Sequence, residues 1–455
     1  MTRLVLALIF IMMPLAATAA DGHLSAHAFS SFEPSDLAWV KNQINSDRNS
    51  SERRALIELV AKADARLASK VTSVLDKRGI APSGKKQDFY SIGAYSWPAP
   101  DGGDRAPYIR RDGFKNPEAY GSEYDKGRFN AMVNDVNTLS LAYYYTNDSK
   151  YAVKAGALLR SWFISPKTRM NPNFRHAAVQ PGVNDGYYGG IIEGVVLIEM
   201  LDYVQLLEGS NALSTSEYSS LRTWFSQLST WLVSSEFGLR ERRSGNNHGS
   251  WYTAQVMAFS LYGGNRARAV SMLDLARRNL RDQFDSEGKL PREMKRSNSF
   301  MYAIYGLRSF IALARISEHL GHSLWQEGSD EGSPATLQKA FDYLTPFFSG
   351  ARNWEGQMID KDYDPYAIQI FRLGGAVYGT RSFNDVVTYL VQHRGSSDRI
   401  AHLLGRPSVK VKPASRLPPN PQTSILFPVR ESAQRHCLAG RMCSPLARFM
   451  AGEPT

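Results

Sequence analysis

Cysteine is nearly absent. Cys437 and Cys443 are the only two in 455 residues, which excludes a disulfide-dense scaffold. Six positions apart, with His436 as the one histidine beside them, they make a poor zinc site. In an oxidising compartment they can close one small loop. Alternating strand patterns are sparse, which argues against a sandwich or barrel of strands. Past the first two dozen residues, no run is long and apolar enough for a membrane span. The chain has no phosphate-binding glycine loop, no dinucleotide fingerprint and no G-x-S-x-G elbow. His319, His322, His393, His402 and His436 show no metal spacing, and no pair of carboxylates stands out. Metal-assisted, nucleotide-dependent and serine-hydrolase chemistries therefore leave no mark, and neither a metal nor a cofactor is expected.

What is present is basic and aromatic. Lys and Arg number 54 against 43 Asp and Glu, a formal charge of +11, and aromatics make up 11% with 22 Tyr and 8 Trp. A basic excess suits nucleic acid, an anionic membrane or an acidic polysaccharide, and does not choose among them. Aromatic faces beside cations suit sugar acids as well as bases.

The opening MTRLVLALIFIMMPLAATAADG has Arg3 as a positive start, an apolar stretch over 4–15 and Ala17-Thr18-Ala19 as a small-x-small cleavage pattern. This reads as a signal peptide over 1–20. The apolar stretch is shorter than the roughly 20 residues a membrane anchor needs. A periplasmic or secreted protein without a membrane anchor is expected.

Helical periodicity dominates the rest. It runs over 36–78 and then over 131–146, 149–163, 188–208, 215–236, 248–262, 265–285, 299–320, 335–348, 365–378 and 383–393, separated by turn signals. The number and regular spacing of helices predict an all-α fold, an (α/α) toroid or incomplete barrel of antiparallel helix pairs. A helical solenoid would need a repeat of fixed period, and none is visible. Long irregular loops are expected, above all over 79–130, where Gly, Pro, Tyr and Asp accumulate. One catalytic body over 21–402 is predicted. A Pro-, Arg- and Ser-rich tail over 403–455 is predicted to pack on it as extended chain.

Two helix starts carry the candidate chemistry. Residues 244–252 read SGNNHGSWY. One Asn caps a helix; Asn246, Asn247 and His248 together, followed by Trp251, exceed that need. A helix N-terminus also favours an anion, so amides and an imidazole there suit a carboxylate. Residues 290–302 read LPREMKRSNSFMY, bringing Arg296 and Tyr302 to the start of the helix at 299. In an up-down array, helices two apart run parallel. The starts at 248 and 299 then share one rim, and His248 and Tyr302 can meet in one cleft.

Tyr, His, Asn and Arg without paired carboxylates or a metal fit β-elimination from a uronate. Neutralising the sugar carboxylate stabilises the enolate-like transition state. A Tyr or His takes the C5 proton and a Tyr protonates the leaving O4. Cations nearby would favour the phenolate of the tyrosine. One tyrosine can serve both roles where the C5 proton and O4 lie on the same face, as in mannuronate. Guluronate places them on opposite faces and needs two groups.

At these residues the sequence resembles the alginate lyase superfamily of polysaccharide lyases. Four blocks carry the likeness. YSIGAYSWPAP at 90–100, continuing through PYIRRDG at 107–113 and NPE at 116–118, is the first. NPN at 171–173 with PG at 181–182 and GIIE at 190–193 is the second. Asn246-Asn247-His248 is the third, and residues 290–302 the fourth. Relatives tend to carry an aromatic-Ala-Gln and a Gly-Arg-Gly in the second block, where this chain has His176-Ala177-Ala178 and Gly186-Tyr187-Tyr188. The fourth block commonly has His before the tyrosine, where this chain has Met301.

The resemblance implies a toroid with a tunnel-like cleft, Asn247 and His248 at the uronate carboxylate, Tyr302 as proton donor and possible base, and Arg296 positioning or neutralising. Substrate contacts are expected from Tyr95, Trp97, Arg110, Arg111, His176, Tyr187, Tyr188, Asn246 and Trp251. Arg242 and Arg243 stand close enough to the Asn-Asn-His block to add positive potential. The reading is a lyase acting on an acidic polyuronate, alginate-like or glucuronan, with that polysaccharide as its partner and no nucleic acid. Two alternatives stay open. One is a glycoside hydrolase on the same scaffold, drawing on Asp185, Glu193, Glu293 or Asp362. The other is an inactive polyanion-binding periplasmic protein.

Overall fold

A computed structural model describes residues 29–100, 107–330, 334–359, 364–393 and 399–406, all within one compact unit spanning 1–411. The cleavage pattern at 17–19, both cysteines, Asp362 and the tail beyond 406 lie outside the described residues.

Helices make up most of the described chain. They are α1 (Pro34–Ser46), α2 (Ser51–Leu67), α3 (Lys126–Thr146), α4 (Ser149–Leu159), α5 (Val196–Gln205), α6 (Thr215–Ser234), α7 (Glu236–Glu241), α8 (Asn247–Tyr262), α9 (Arg266–Ser271), α10 (Leu273–Gln283), α11 (Pro291–Met294), α12 (Ser299–His319), α13 (Thr336–Phe348), α14 (Asp364–Tyr378) and α15 (Arg381–His393). The periodic segments of the sequence thus become helices with small changes at their ends. The stretch expected over 36–78 breaks between Ser46 and Ser51, where Ser50 caps α2 by accepting from Arg53 N, and its α-helix ends at Leu67 rather than near 78. The segment at 188–208 begins as a 3₁₀ helix (Tyr188–Val195) before α5 takes over.

The fold is an α/α toroid. Its two layers follow from which faces are apolar. α8 and α12 are buried almost all round, as inner helices must be. α10 buries Leu273, Ala276 and Leu280 and turns Arg278 and Arg281 to solvent, the signature of an outer helix. α8 packs against α6, α10 and α12. The main core cluster has Phe163, Trp224 and Phe225 interlocked as ring pairs 4.7–6.0 Å apart, with Trp162 against Phe129 at 5.7 Å.

The 79–130 segment is less irregular than its composition predicts. It carries β1 (Tyr90–Ile92), β2 (Ser96–Pro98) and β3 (Tyr108–Arg110); β2 and β3 form an antiparallel pair, and β1 pairs in parallel with β4 (His176–Val179). Its base is fastened by Lys77 and Asp125, 2.9 Å apart with no side-chain exposure. Asp125 also accepts from Tyr90 N at 2.9 Å. The first described residues are anchored too: Ser30 N, Ser31 N and Ser30 Oγ all donate to Asp202, at 2.7–3.1 Å.

Candidate active site

The two helix starts meet. Asn247, His248, Arg296 and Tyr302 line one cleft of ≈ 700 Å³, together with Tyr95, Arg110 and Tyr187 from the loops around it. Of the expected site residues, these seven line the cleft. The inner position of α8 and α12 puts their first turns side by side at the cleft wall.

Asn246 and Asn247 divide the work. Asn246 is the cap of α8, its Oδ1 accepting from His248 N at 3.3 Å. Asn247 is then released from capping. Its backbone N–H donates to Glu293 Oε1 at 2.8 Å, while both amide atoms of its buried side chain lack a partner. An unpartnered buried amide at a cleft wall is a ready contact for a ligand oxygen.

His248 is aimed by Glu241. Nδ1 lies 2.6 Å from Glu241 Oε1, and that carboxylate is 1% exposed. A carboxylate can only accept, so Nδ1 carries the hydrogen and Nε2 is left for the cleft. Gly189 makes room opposite: a Cβ there would come within 3.1 Å of His248 Cε1 and 2.5 Å of Tyr187 Cε1.

Tyr302 is held on two sides. Its hydroxyl donates to Tyr95 Oη at 2.9 Å, and the Arg296 guanidinium lies 3.6 Å from its ring centroid. Arg296 in turn grips Asp112 through Nε at 3.1 Å and Nη2 at 2.6 Å. Burial raises the Asp112 carboxyl, but the hydrogen bonds from Arg296, Arg110 and Ser297 outweigh it and hold the group well below the usual carboxylate range. Gly113, with φ 80°, lets this loop close on Ser297, whose Oγ would lie 2.5 Å from a Cβ.

Two expectations about Tyr302 and Arg296 change. Burial pushes the Tyr302 phenol well above its ordinary value, with Tyr95 adding to the effect and Arg296 only partly opposing it. The nearby cation favours the phenolate, as expected, but burial outweighs it and the phenol keeps its proton. Arg296 has its fork occupied by Asp112, so it acts on Tyr302 through its face.

Other expected contacts lie elsewhere. Trp97 donates Nε1–H to Phe114 O at 2.8 Å and packs under Arg111, 5.3 Å from its ring; neither lines the cleft. His176 is buried, with Nδ1 2.7 Å from Asp185 O. Tyr188 supports Tyr187, rings 4.5 Å apart, beneath Arg240. Trp251 lines an adjoining cavity of ≈ 470 Å³ that shares Lys126, Glu193 and Arg308 with the cleft.

The sequence reading missed Glu241, Asp112, Lys126, Arg308 and Tyr366. Asp112 reaches Arg296 from a loop 184 positions away, and Glu241 reaches His248 from the end of α7; no pattern in the sequence marks either. Among the described residues, Glu193 is the one carboxylate lining the cleft, and it is paired with Lys126 at 3.1 Å. Asp185 does not line the cleft and meets His176 through its backbone carbonyl, and Glu293 accepts from the α8 backbone. Two opposed carboxylates, as glycoside hydrolysis requires, do not line this cleft among the described residues.

Known proteins resemble this chain over most of its length. A family model described as alginate lyase matches residues 73–354. An alginate lyase of known structure from Bacteroides ovatus is 32% identical, with a TM-score of 0.75 over 83% of this chain and 98% of that one. Alginate lyase A1-III from Sphingomonas species A1 is 12% identical, with a TM-score of 0.50 over 84% of this chain and 96% of that one. A variant of A1-III complexed with tetrasaccharide is 13% identical at the same TM-score, over 86% and 97% of the two chains. At such identity the A1-III likeness concerns the fold alone. No match is found among curated proteins.

Proposed function

The chain belongs to the alginate lyase family and is a polysaccharide lyase, and from that premise we propose that it cleaves an acidic polyuronate by β-elimination with Asn247, His248 and Tyr302 as its working groups. The observation that carries the reading is their convergence: an unpartnered amide, a carboxylate-aimed imidazole and a buried phenol on one cleft wall. Asn247 and the N-terminus of α8 receive the uronate carboxylate and stabilise the charge that develops when C5 loses its proton. His248 Nε2 takes that proton. The C5–H electron pair becomes the C4–C5 double bond, and the C4–O4 bond breaks. Tyr302 gives its proton to O4, which leaves as a hydroxyl. Exchange with solvent then returns both groups to their starting states. Arg296 and Tyr95 hold the phenol, and Arg110 and Tyr187 contact sugars on either side.

The substrate class is alginate-like or glucuronan polymer, and the chain is read as exported by its first 20 residues. No helix among the described residues is long and apolar enough to cross a membrane. The test is ultraviolet absorbance of the unsaturated product on polymannuronate, polyguluronate, glucuronan and a glycosaminoglycan. A rise on one polymer names the substrate. Polymer that is bound but not cut would sink the catalytic reading and favour a polyanion-binding protein. Reducing ends formed without a double bond would sink elimination.

A further inference from the structure

The loop that delivers Asn247 and His248 has a second side. Residues 242–245, with α10, enclose a separate cavity of ≈ 380 Å³ lined by Arg242, Arg243, Arg278, Asn279, Asp282 and Gln283. Three guanidinium groups face one acid. Among the described residues none of the three arginines is paired with a carboxylate. This is unlike their neighbours Arg277 and Arg281, which both reach Glu327, at 3.5 and 3.4 Å. Gln283, 6% exposed, has both amide atoms without a partner. Asn279 is already committed, its amide donating to Gly249 O and Thr253 Oγ1 at 3.2 and 3.1 Å.

We infer that this cavity is a second, non-catalytic site that anchors the acidic polysaccharide, an inference that rests on the polyuronate reading above. The chemistry fits one ligand class. Free arginine forks match carboxylates in a bidentate manner, and an idle buried amide matches a sugar hydroxyl; a uronate residue carries both. Position gives the site its use. Arg242 and Arg243 open the five-residue loop 242–246, which leads directly into Asn247 and His248 at the start of α8 in the cleft. A polymer held here keeps its other segments near the cleft at raised effective concentration. A short oligomer cannot fill both sites. Being exposed, the arginines act through screened charges, so the benefit falls with salt.

The test uses the full chain and an Arg243→Ala/Arg278→Ala variant. Both are assayed on the polymer cleaved by the wild type and on the shortest oligomer it cleaves. The expected result is a KM for polymer raised about 3- to 10-fold, with kcat and all constants on the oligomer unchanged. Added salt should raise KM less in the variant than in the wild type. Equal effects on polymer and oligomer, or none on either, would overturn the anchor. If the wild type cuts no polyuronate, the functional reading fails first. Retardation of both proteins in gels containing polyuronate then decides the anchor separately: loss in the variant supports it, and equal retardation rejects it.

Discussion

Glu241 donates nothing and accepts everything it needs to: its buried Oε1 sits 2.6 Å from Nδ1 of His248 and sets which ring nitrogen faces the cleft. The two residues are separated by a loop and belong to different helices, α7 and α8. The pairing predicts that Glu241→Ala lowers kcat by about 10²-fold, in line with loss of a positioned base, with KM little changed. Glu241→Gln keeps an acceptor but loses the charge that stabilises the imidazolium, so it should fall between Ala and wild type. Steady-state kinetics beside a melting curve checks this. A drop in Tm that accounts for the lost activity would reduce Glu241 to a structural residue.

Tyr302→Phe should remove about 10²- to 10⁴-fold of kcat, the usual worth of a proton donor. Oligosaccharide binding and Tm should stay near wild type. Burial holds the phenol protonated above its ordinary range. Raising the pH to about 10, where an ordinary tyrosine is half ionised, should therefore not cost the enzyme its acid. A wild-type rate that collapses with tyrosine ionisation below that pH would contradict the assignment.

Arg296→Lys is not a conservative change here. Lysine cannot grip Asp112 with two nitrogens and cover the Tyr302 ring with a flat face at once. A fall in kcat of about 10-fold is expected, with a similar fall for Asp112→Asn. The double variant should fall less than the product of the two, because all three side chains act as one unit. Additive losses in a double-mutant cycle would separate Asp112 from the phenol.

Asp202 predicts a pH dependence of stability. Burial pushes its carboxyl up to about 7, with the hydrogen bonds from Ser30 and Ser31 pulling the other way. The folded value thus lies above the unfolded one. Its contribution to stability is complete below the ordinary aspartate value and is lost as pH rises through about 7, at up to about 1.4 kcal/mol per pH unit. Melting curves from pH 5 to 8 should show wild type losing ground to Asp202→Asn as pH rises. A constant difference between the two would show that Asp202 does not titrate in this window.

The toroid was legible because helices announce themselves locally. The three- and four-residue spacing around Leu139, Leu228, Val256 and Leu313 places each on a buried face, whichever neighbour supplies the other side. Asn247, His248, Arg296 and Tyr302 were legible for a related reason. Each stands at or just before a helix start with more polar groups than capping needs. Trp97 and His176 misled because an aromatic or imidazole in an unusual loop looks the same in sequence whether it faces a cleft or closes a turn. The hairpin of β2 and β3 escaped notice because three-residue strands are too short for alternation to show.

Sequence alone determined the helical architecture, the basic character and the chemical kind of the site, since these depend on composition and on spacing within one element. Tertiary structure alone decided how the site is tuned. It brought Asp112 to Arg296 across 184 positions and Tyr95 to Tyr302 across 207, and it placed Glu241 behind His248. It also buried the Tyr302 phenol, so that desolvation outweighs the cation beside it. Desolvation and the direction of a hydrogen bond are properties of a packed neighbourhood, and no single segment of chain contains them.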